Sequence, residues 1–141
     1  MHAGRLTGFY NGPMTPSERP APQRAVSRVA SFAHAWRGLR LFVAQPNARI
    51  HLAAAALVVA LGAWLRVSNL EWVALVLAME LVMGAEALNT ALEYAVDLAS
   101  PEWHPLARDA KDVAAAAVLI CSAGALVVGG LVFMPHLLAR L

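Results

Sequence analysis

The stretch VAAAAVLICSAGALVVGGLVFM, residues 113–134, decides the fold class of this chain. It runs for 22 residues without a charged side chain. A helix needs about 20 predominantly apolar residues to cross the hydrocarbon core of a bilayer. Spanning segments are helices or closed barrels, because backbone polar groups find no water there. The stretch lacks the alternating pattern of a barrel strand, and therefore predicts a transmembrane α-helix.

Two more apolar runs precede this one, so the sequence predicts three spans, at about residues 48–66, 72–97 and 112–134. The composition agrees, because 60% of the 141 residues are hydrophobic and 14% are charged. Soluble domains average about 25% charged residues. A nucleic-acid-binding protein would need a basic face on a soluble domain, and the net charge of +2 supplies none. We expect an all-α membrane protein without a nucleic-acid partner.

The segment before the first span predicts an amphipathic helix at residues 26–41. Val29, Phe32 and Trp36 recur at spacings of three and four. A helix of this kind lies in the membrane plane with its apolar face in the lipid boundary. Residues 1–25 contain four prolines and little apolar surface, which predicts a flexible tail. The remaining residues, 26–141, are expected to form one membrane domain.

The basic residues predict the orientation in the membrane. Seven of the eleven Lys and Arg residues precede the first apolar run, which begins at Ile50, and Arg108 and Lys111 lie between the second and the third span. The loop between the first two spans holds only Arg66, close to Glu71. Loops rich in Lys and Arg stay in the cytoplasm. We therefore expect a cytoplasmic N-terminus and an external C-terminus.

The second span carries an acidic stripe in the sequence EALNTALEYAVD, residues 86–97. At 100° per residue its polar groups fall within about 80° of one another on one helix face. These groups are Glu86, Asn89, Glu93 and Asp97. An ionisable side chain at membrane depth costs at least ~2.5 kcal/mol, so a stripe of them marks a functional site.

The stripe alone is compatible with several functions. Carboxylates bind divalent cations through oxygen, accept a proton from a hydroxyl, or relay protons across a membrane. A non-enzymatic proton- or ion-conducting oligomer would use Glu86, Glu93 and Asp97 in the last way. A purely structural alternative is polar packing between helices.

A second polar cluster, DAKD at residues 109–112, precedes the third apolar run. Lys111 is a cation that can reach phosphate, and Asp112 lies where an acceptor would cap a helix N-terminus. Proton or ion conduction would not require Lys111 and Asp112 at this distance in sequence from the acidic stripe. The sequence contains no GxxxxGK[ST] loop, so an ATP site must be built from helix side chains.

These motifs resemble a known family. The pattern ExxNTAxExxVD at residues 86–97, HPLA at 104–107 and AKDxAAxAV at 110–118 are similar to the bacterial diacylglycerol kinase and undecaprenol kinase family. The resemblance extends over residues 26–135. It implies a homotrimer in the bacterial inner membrane, with composite sites near the cytoplasmic interface, that phosphorylates a lipid alcohol with ATP and Mg²⁺. The HPL loop and the FMP sequence at 133–135 favour undecaprenol over diacylglycerol.

The resemblance also implies residue roles. Glu86 would be the general base that takes the proton from the lipid hydroxyl, and Glu93 would ligate Mg²⁺. The implied nucleotide-binding residues are His34, Asn89, Glu93, Asp97, Glu102, His104, Lys111 and Asp112. Trp64 would contact the lipid. Ser27 stands where the family has a surface-helix arginine, and Arg24 or Arg28 is expected to take its place.

One further position departs from the family pattern. Gln45 stands where the family has a second metal-binding glutamate. A carboxamide can ligate through its oxygen but brings no charge. The sequence therefore predicts Gln45 as a metal ligand, with weaker Mg²⁺ affinity than in relatives that have the glutamate.

Overall fold

The computed structural model describes residues 28–141, which form four helices. They are α1 (Arg28–Ala44), α2 (Pro46–Leu65), α3 (Asn69–Ala99) and α4 (Pro105–Leu138). These residues contain no strand. The last three helices are long and apolar enough to cross a membrane. The expectation of an all-α protein with three spans is confirmed, whereas the tail predicted at residues 1–25 lies outside the described residues.

The breaks between α1, α2 and α3 follow from local sequence. Gln45 is extended and Pro46 occupies the first turn of α2, since proline disfavours helical geometry in the residue before it. Arg66 ends α2 in a left-handed conformation with φ 57°, and its N–H returns to Ala63 and Gly62 carbonyls. Ser68 then starts α3 with a capping box.

Helix α4 begins well before the third apolar run. Pro105 occupies its first turn, and His104 caps it by accepting a hydrogen bond from the Leu106 N–H at Nδ1, 3.2 Å away. Asp112 therefore lies inside the helix and does not cap it. With 34 residues, α4 is about 51 Å long, so it extends beyond a hydrocarbon core of about 30 Å.

The bundle has two distinct ends. At the α1 end, α1 joins α2, and residues 100–104 connect α3 to α4. At the opposite end, called the Trp64 end, Arg140 donates to the Trp64 carbonyl over 3.1 Å and its guanidinium lies 4.6 Å from the centre of the Trp64 ring. His136 and Glu71 also pair there, 3.0 Å apart. These contacts fasten the end of α4 to the turn between α2 and α3.

The chain buries few large side chains. Its core cluster lies at the Trp64 end and consists of Leu65, Val67, Leu75 and Val132. Most large apolar residues of α2, α3 and α4 are exposed in a single chain. Such surface suits hydrocarbon or another copy of the chain rather than water. The fold therefore belongs in a membrane.

Candidate active site

The acidic stripe lies on one continuous helix, α3, and its burial decreases towards the α1 end. Glu86 and Asn89 are only 3% and 5% exposed. Glu93 is half-buried, and Asp97 is exposed. Eleven residues of helix separate the first from the last, a distance of about 16 Å. The stripe therefore runs from the packed interior of the bundle to its polar end.

Asn89 is oriented by Glu93. Its Nδ2 donates to Glu93 Oε1 over 3.3 Å. A reversed amide would place two oxygens together, so the carboxylate fixes which way the amide points. Oδ1 is then buried without a hydrogen-bond partner among the described residues. A buried acceptor without a partner is costly, so Asn89 presents an oxygen to a donor or cation that the described chain does not supply.

Glu86 is the deepest carboxyl of the stripe. None of the described side chains, those of residues 29–141, donates a hydrogen bond to it. Thr90, one turn away and 7% exposed, is buried on the same helix. A carboxylate that is not already bonded to a neighbour can accept a proton from a substrate hydroxyl brought within hydrogen-bond distance.

A polar cavity of about 310 Å³ lies at the α1 end, between the end of α3 and the start of α4. Lys111 forms an ion pair with Asp97 across it. Four of the predicted nucleotide-binding residues line the cavity together: Asp97, Glu102, His104 and Lys111. The N-terminus of α4 opens onto it, and helix N-termini attract phosphate.

Other predicted nucleotide-binding residues lie elsewhere. Asp112 is exposed and does not line the cavity; its carboxylate is 4.0 Å from Arg108 Nε. His34 is on α1, where its Nδ1 accepts a hydrogen bond from Arg37 over 3.3 Å. Glu86, Asn89 and Glu93 lie farther along α3 than the cavity. A single chain thus gathers only part of the predicted set.

The residues predicted to contact lipid are also dispersed. Trp64 lies at the end of the bundle opposite Lys111 and holds Arg140. Arg28 is the first residue of α1, and its side chain lies outside the description. A single chain therefore does not bring Trp64 near Glu86.

Gln45, the predicted metal ligand, contacts α3. Its Nε2 donates to the Tyr94 hydroxyl oxygen over 2.6 Å. This hydrogen bond ties the junction of α1 and α2 to the residue directly after Glu93. The amide oxygen of Gln45 is left available as an acceptor.

An apolar cavity of about 460 Å³ separates α1 from α3. Its walls include Gly38, Leu39 and Phe42 from α1 and Ala87, Thr90 and Tyr94 from α3. Ala87 directly follows Glu86. Glu86 itself does not line the cavity, but Thr90, one turn along α3 on the same side, does.

The donor set fits Mg²⁺. Mg²⁺ is usually held by one or two carboxylates, with waters and substrate phosphates completing its shell. Residues 28–141 contain no group of three or more His, Cys, Asp or Glu that could hold a metal, as a dedicated protein cage would require. Glu93 and the unpartnered Oδ1 of Asn89 supply oxygen donors of the kind that a metal shared with phosphates needs.

Three residues that line the two cavities were not predicted from the sequence. Arg108 lines the polar cavity, and Thr90 and Tyr94 line the apolar one. Arg108 precedes Lys111 by three residues, a spacing that places two helical residues on neighbouring positions of one face. That spacing could have predicted Arg108 as a neighbour of Lys111. The contact of Tyr94 with Gln45, in contrast, depends on how α3 packs and has no signal in the sequence.

The family match and the similar known proteins all indicate the same family of membrane lipid kinases. Residues 33–133 match the family described as prokaryotic diacylglycerol kinase. The chain is 39% identical over 130 residues to a diacylglycerol kinase of Synechocystis sp., covering 91% of this chain and 74% of the relative. It is 39% identical over 108 residues to an undecaprenol kinase of Bacillus subtilis, covering 76% and 88%. It is 33% identical over 109 residues to a diacylglycerol kinase of Escherichia coli, covering 77% and 89%.

Proposed function

The chain belongs to the prokaryotic diacylglycerol kinase family, and from this premise we propose that it transfers the γ-phosphate of ATP to the hydroxyl of a membrane lipid. The observation that carries the proposal is the stripe on α3, where a buried Glu86 is followed by the oriented pair of Asn89 and Glu93. Phosphoryl transfer depends mainly on positioning and on neutralising charge. The stripe and the polar cavity supply both.

Glu86 acts as the general base. The lipid hydroxyl donates a hydrogen bond to its carboxylate, and the proton moves to the carboxylate as the hydroxyl oxygen attacks the γ-phosphorus. The bond between the γ-phosphorus and the β,γ-bridging oxygen breaks at the same time, and ADP leaves. Burial at 3% exposure keeps water away from the reacting hydroxyl. Among the described side chains none donates to Glu86, so its carboxylate is available for this proton.

The nucleotide binds at the α1 end. Its phosphate chain meets Lys111 and the N-terminus of α4, which favours negative charge. Asp97 holds the Lys111 ammonium in the cavity, and Glu102 and His104 line the same space. His34 and Asp112 complete the set that the family resemblance assigns to the nucleotide.

Glu93 and Asn89 would hold Mg²⁺ together with the phosphates, with Gln45 as a further oxygen ligand. When bound, Mg²⁺ neutralises charge that develops on the phosphate oxygens. The hydrogen bond from Asn89 Nδ2 to Glu93 keeps both oxygen donors in place before substrate arrives.

The lipid enters between α1 and α3. The apolar cavity there borders the residue next to Glu86, so a hydrocarbon chain in the cavity would bring its terminal hydroxyl to the base. We favour undecaprenol over diacylglycerol as the substrate, because the HPL loop and the FMP sequence resemble the undecaprenol kinases of the family. Relatives carrying each name are equally similar to the chain, at 39% identity.

We propose that the protein lies in the bacterial inner membrane with its α1 end in the cytoplasm, because the Lys and Arg residues concentrate at that end. This orientation gives the polar cavity access to cytosolic ATP. The functional unit is a homotrimer, as the family resemblance implies, with sites completed between protomers.

Phosphate transfer from labelled ATP in mixed micelles tests the proposal. Diacylglycerol and undecaprenol are offered separately, with Mg²⁺, to the wild type and to Glu86→Gln. We expect transfer by the wild type and a loss of at least about 100-fold in the variant, since general-base catalysis contributes about 10²–10⁴-fold. The preferred lipid identifies the substrate.

The control is Glu80→Gln, which removes an α3 carboxyl that lies off the stripe and is exposed in a single chain. It is expected to retain activity. A well-folded wild type that phosphorylates neither lipid would contradict the proposal. Proton or ion flux through proteoliposomes that requires Glu86 would then favour the conducting oligomer.

A further inference from the structure

The carboxylates and the cations that line the polar cavity are equal in number before any nucleotide binds. Two carboxylates, Asp97 and Glu102, and two cations, Arg108 and Lys111, line its wall. Asp97 engages Lys111 directly. The positive charge of Lys111 is therefore partly neutralised by Asp97, which weakens its attraction for a phosphate chain. Arg108 is the second cation in the cavity wall.

Arg108 is held beside the cavity by weak partners. Its Nη2 and Nε donate to Asp109 Oδ1 over 2.8 and 3.1 Å, and Asp112 lies 4.0 Å from Nε. The side chains of Arg108 and Asp109 are 61% and 54% exposed. Ion pairs this exposed contribute little to stability, so the guanidinium can leave Asp109 at low cost.

The phosphate chain of a nucleotide is a better partner for this side chain. A guanidinium presents paired N–H donors that match two phosphate oxygens at once, and such charge-assisted bonds are among the strongest in proteins. Asp109 does not line the cavity, whereas Arg108 does. When a nucleotide binds, the Arg108 guanidinium therefore leaves the Asp109 carboxylate, which lies outside the cavity, and bonds to phosphate inside it.

We propose that Arg108 binds the phosphate chain of the nucleotide beside Lys111, and that Asp109 holds the guanidinium at the cavity rim when the nucleotide is absent. This inference rests on the proposed function, which places ATP in the cavity. It adds a substrate-binding residue to the set that the sequence motifs predict. Asp109 competes with the phosphate chain for the Arg108 guanidinium and does not itself contact the substrate.

The test measures the KM for ATP and for lipid separately, in the full-length protein, for wild type, Arg108→Gln and Arg108→Lys. Hydrogen bonds to charged groups correspond to a factor of about ten to about a hundred. We expect Arg108→Gln to raise the KM for ATP by that factor without changing the KM for lipid. Arg108→Lys restores part of the affinity, because it keeps the charge but loses the paired donors. Arg66→Gln, the same change at the Trp64 end, serves as the control.

Inorganic tripolyphosphate and adenosine, used as competitors of ATP, separate a phosphate contact from a contact to the base or ribose. Arg108→Gln is expected to weaken inhibition by tripolyphosphate by the same factor as ATP binding, and to leave inhibition by adenosine almost unchanged. An equal loss for adenosine would overturn the assignment to the phosphate chain. Asp109→Asn is expected to lower the KM for ATP by about two-fold, and a raised KM would overturn the role given to Asp109.

The two proposals fail in different ways. A wild type that neither binds ATP nor transfers phosphate overturns the proposed function and this inference with it. An active wild type whose KM for ATP is unchanged in Arg108→Gln overturns only the inference, and Arg108 is then an exposed ion-pair residue.

Discussion

At the residue scale, the buried amide of Asn89 constrains the site most tightly. Glu93 accepts from its Nδ2, and its Oδ1 is buried without a hydrogen-bond partner among the described residues. This oxygen can therefore accept from a substrate, bind a cation or accept from a residue of another protomer.

Gln45→Glu tests whether the residue before α2 influences the affinity of the site for Mg²⁺. Gln45 donates to the Tyr94 hydroxyl, and a glutamate can keep that contact by accepting from the same hydroxyl. The substitution therefore adds a negative charge without removing the link to α3. We expect half-maximal activity at a lower Mg²⁺ concentration, measured by Mg²⁺ titration of the kinase assay.

Tyr94→Phe is the matched control for this experiment, since it removes the hydrogen bond and changes no charge. It is expected to leave the Mg²⁺ requirement as it is in the wild type. If Gln45→Glu shows the same Mg²⁺ requirement as wild type, Gln45 does not serve as a metal ligand.

At the element scale, the packing of α2 on α3 depends on a glycine. A Cβ built on Gly62 would lie 2.8 Å from Cη2 of Trp72 and 3.0 Å from its Cζ2. The Trp72 ring packs against the core cluster at the Trp64 end, so it has little room to move. The close approach of the two helices therefore requires the absence of a side chain at residue 62.

Gly62→Ala is expected to destabilise the protein. Overpacking typically costs about 1–3 kcal/mol, which at its lower end equals, and otherwise exceeds, the gain of about 1 kcal/mol that alanine brings to a helix. The measurement is the thermal unfolding midpoint in detergent. Gly130→Ala is the control, because nothing lies within 4 Å of its added Cβ. Equal or higher stability of Gly62→Ala would show that α2 shifts freely against α3.

At the scale of the whole molecule, one chain leaves the predicted site incomplete. The polar cavity and Glu86 lie at different depths along α3, and Trp64 and His34 contact neither. Large apolar side chains cover the outer faces of the spans. An assembly of several copies would cover part of that surface and bring residues from different protomers together.

Mixing inactive variants tests this arrangement. Glu86→Gln and Lys111→Ala are each expected to be inactive alone. If a site combines Glu86 of one protomer with Lys111 of the next, co-expression of the two variants restores part of the activity, because some sites then contain both wild-type residues. Sites built within one protomer would remain inactive in every mixture, and that result would contradict the composite site.

The family and the three spans could be predicted from sequence because both depend on local patterns. Hydrocarbon forces each spanning segment to satisfy its own backbone, so length and hydropathy identify the helices. The spacing of Glu86, Asn89, Glu93 and Asp97 places them on one face of whichever helix contains them. The resemblance carried by these motifs is confirmed by the match over residues 33–133.

The tertiary structure decided which polar groups meet. Lys111 reaches Asp97 across 14 positions of sequence, Gln45 reaches Tyr94 across 49, and Arg140 reaches Trp64 across 76. The relative position of two helices is set by side-chain packing along their whole length, which no local pattern specifies. For the same reason the sequence determined that a stripe of carboxylates exists, while only the packed bundle determined that Glu86 is buried and that Arg108 lines the cavity.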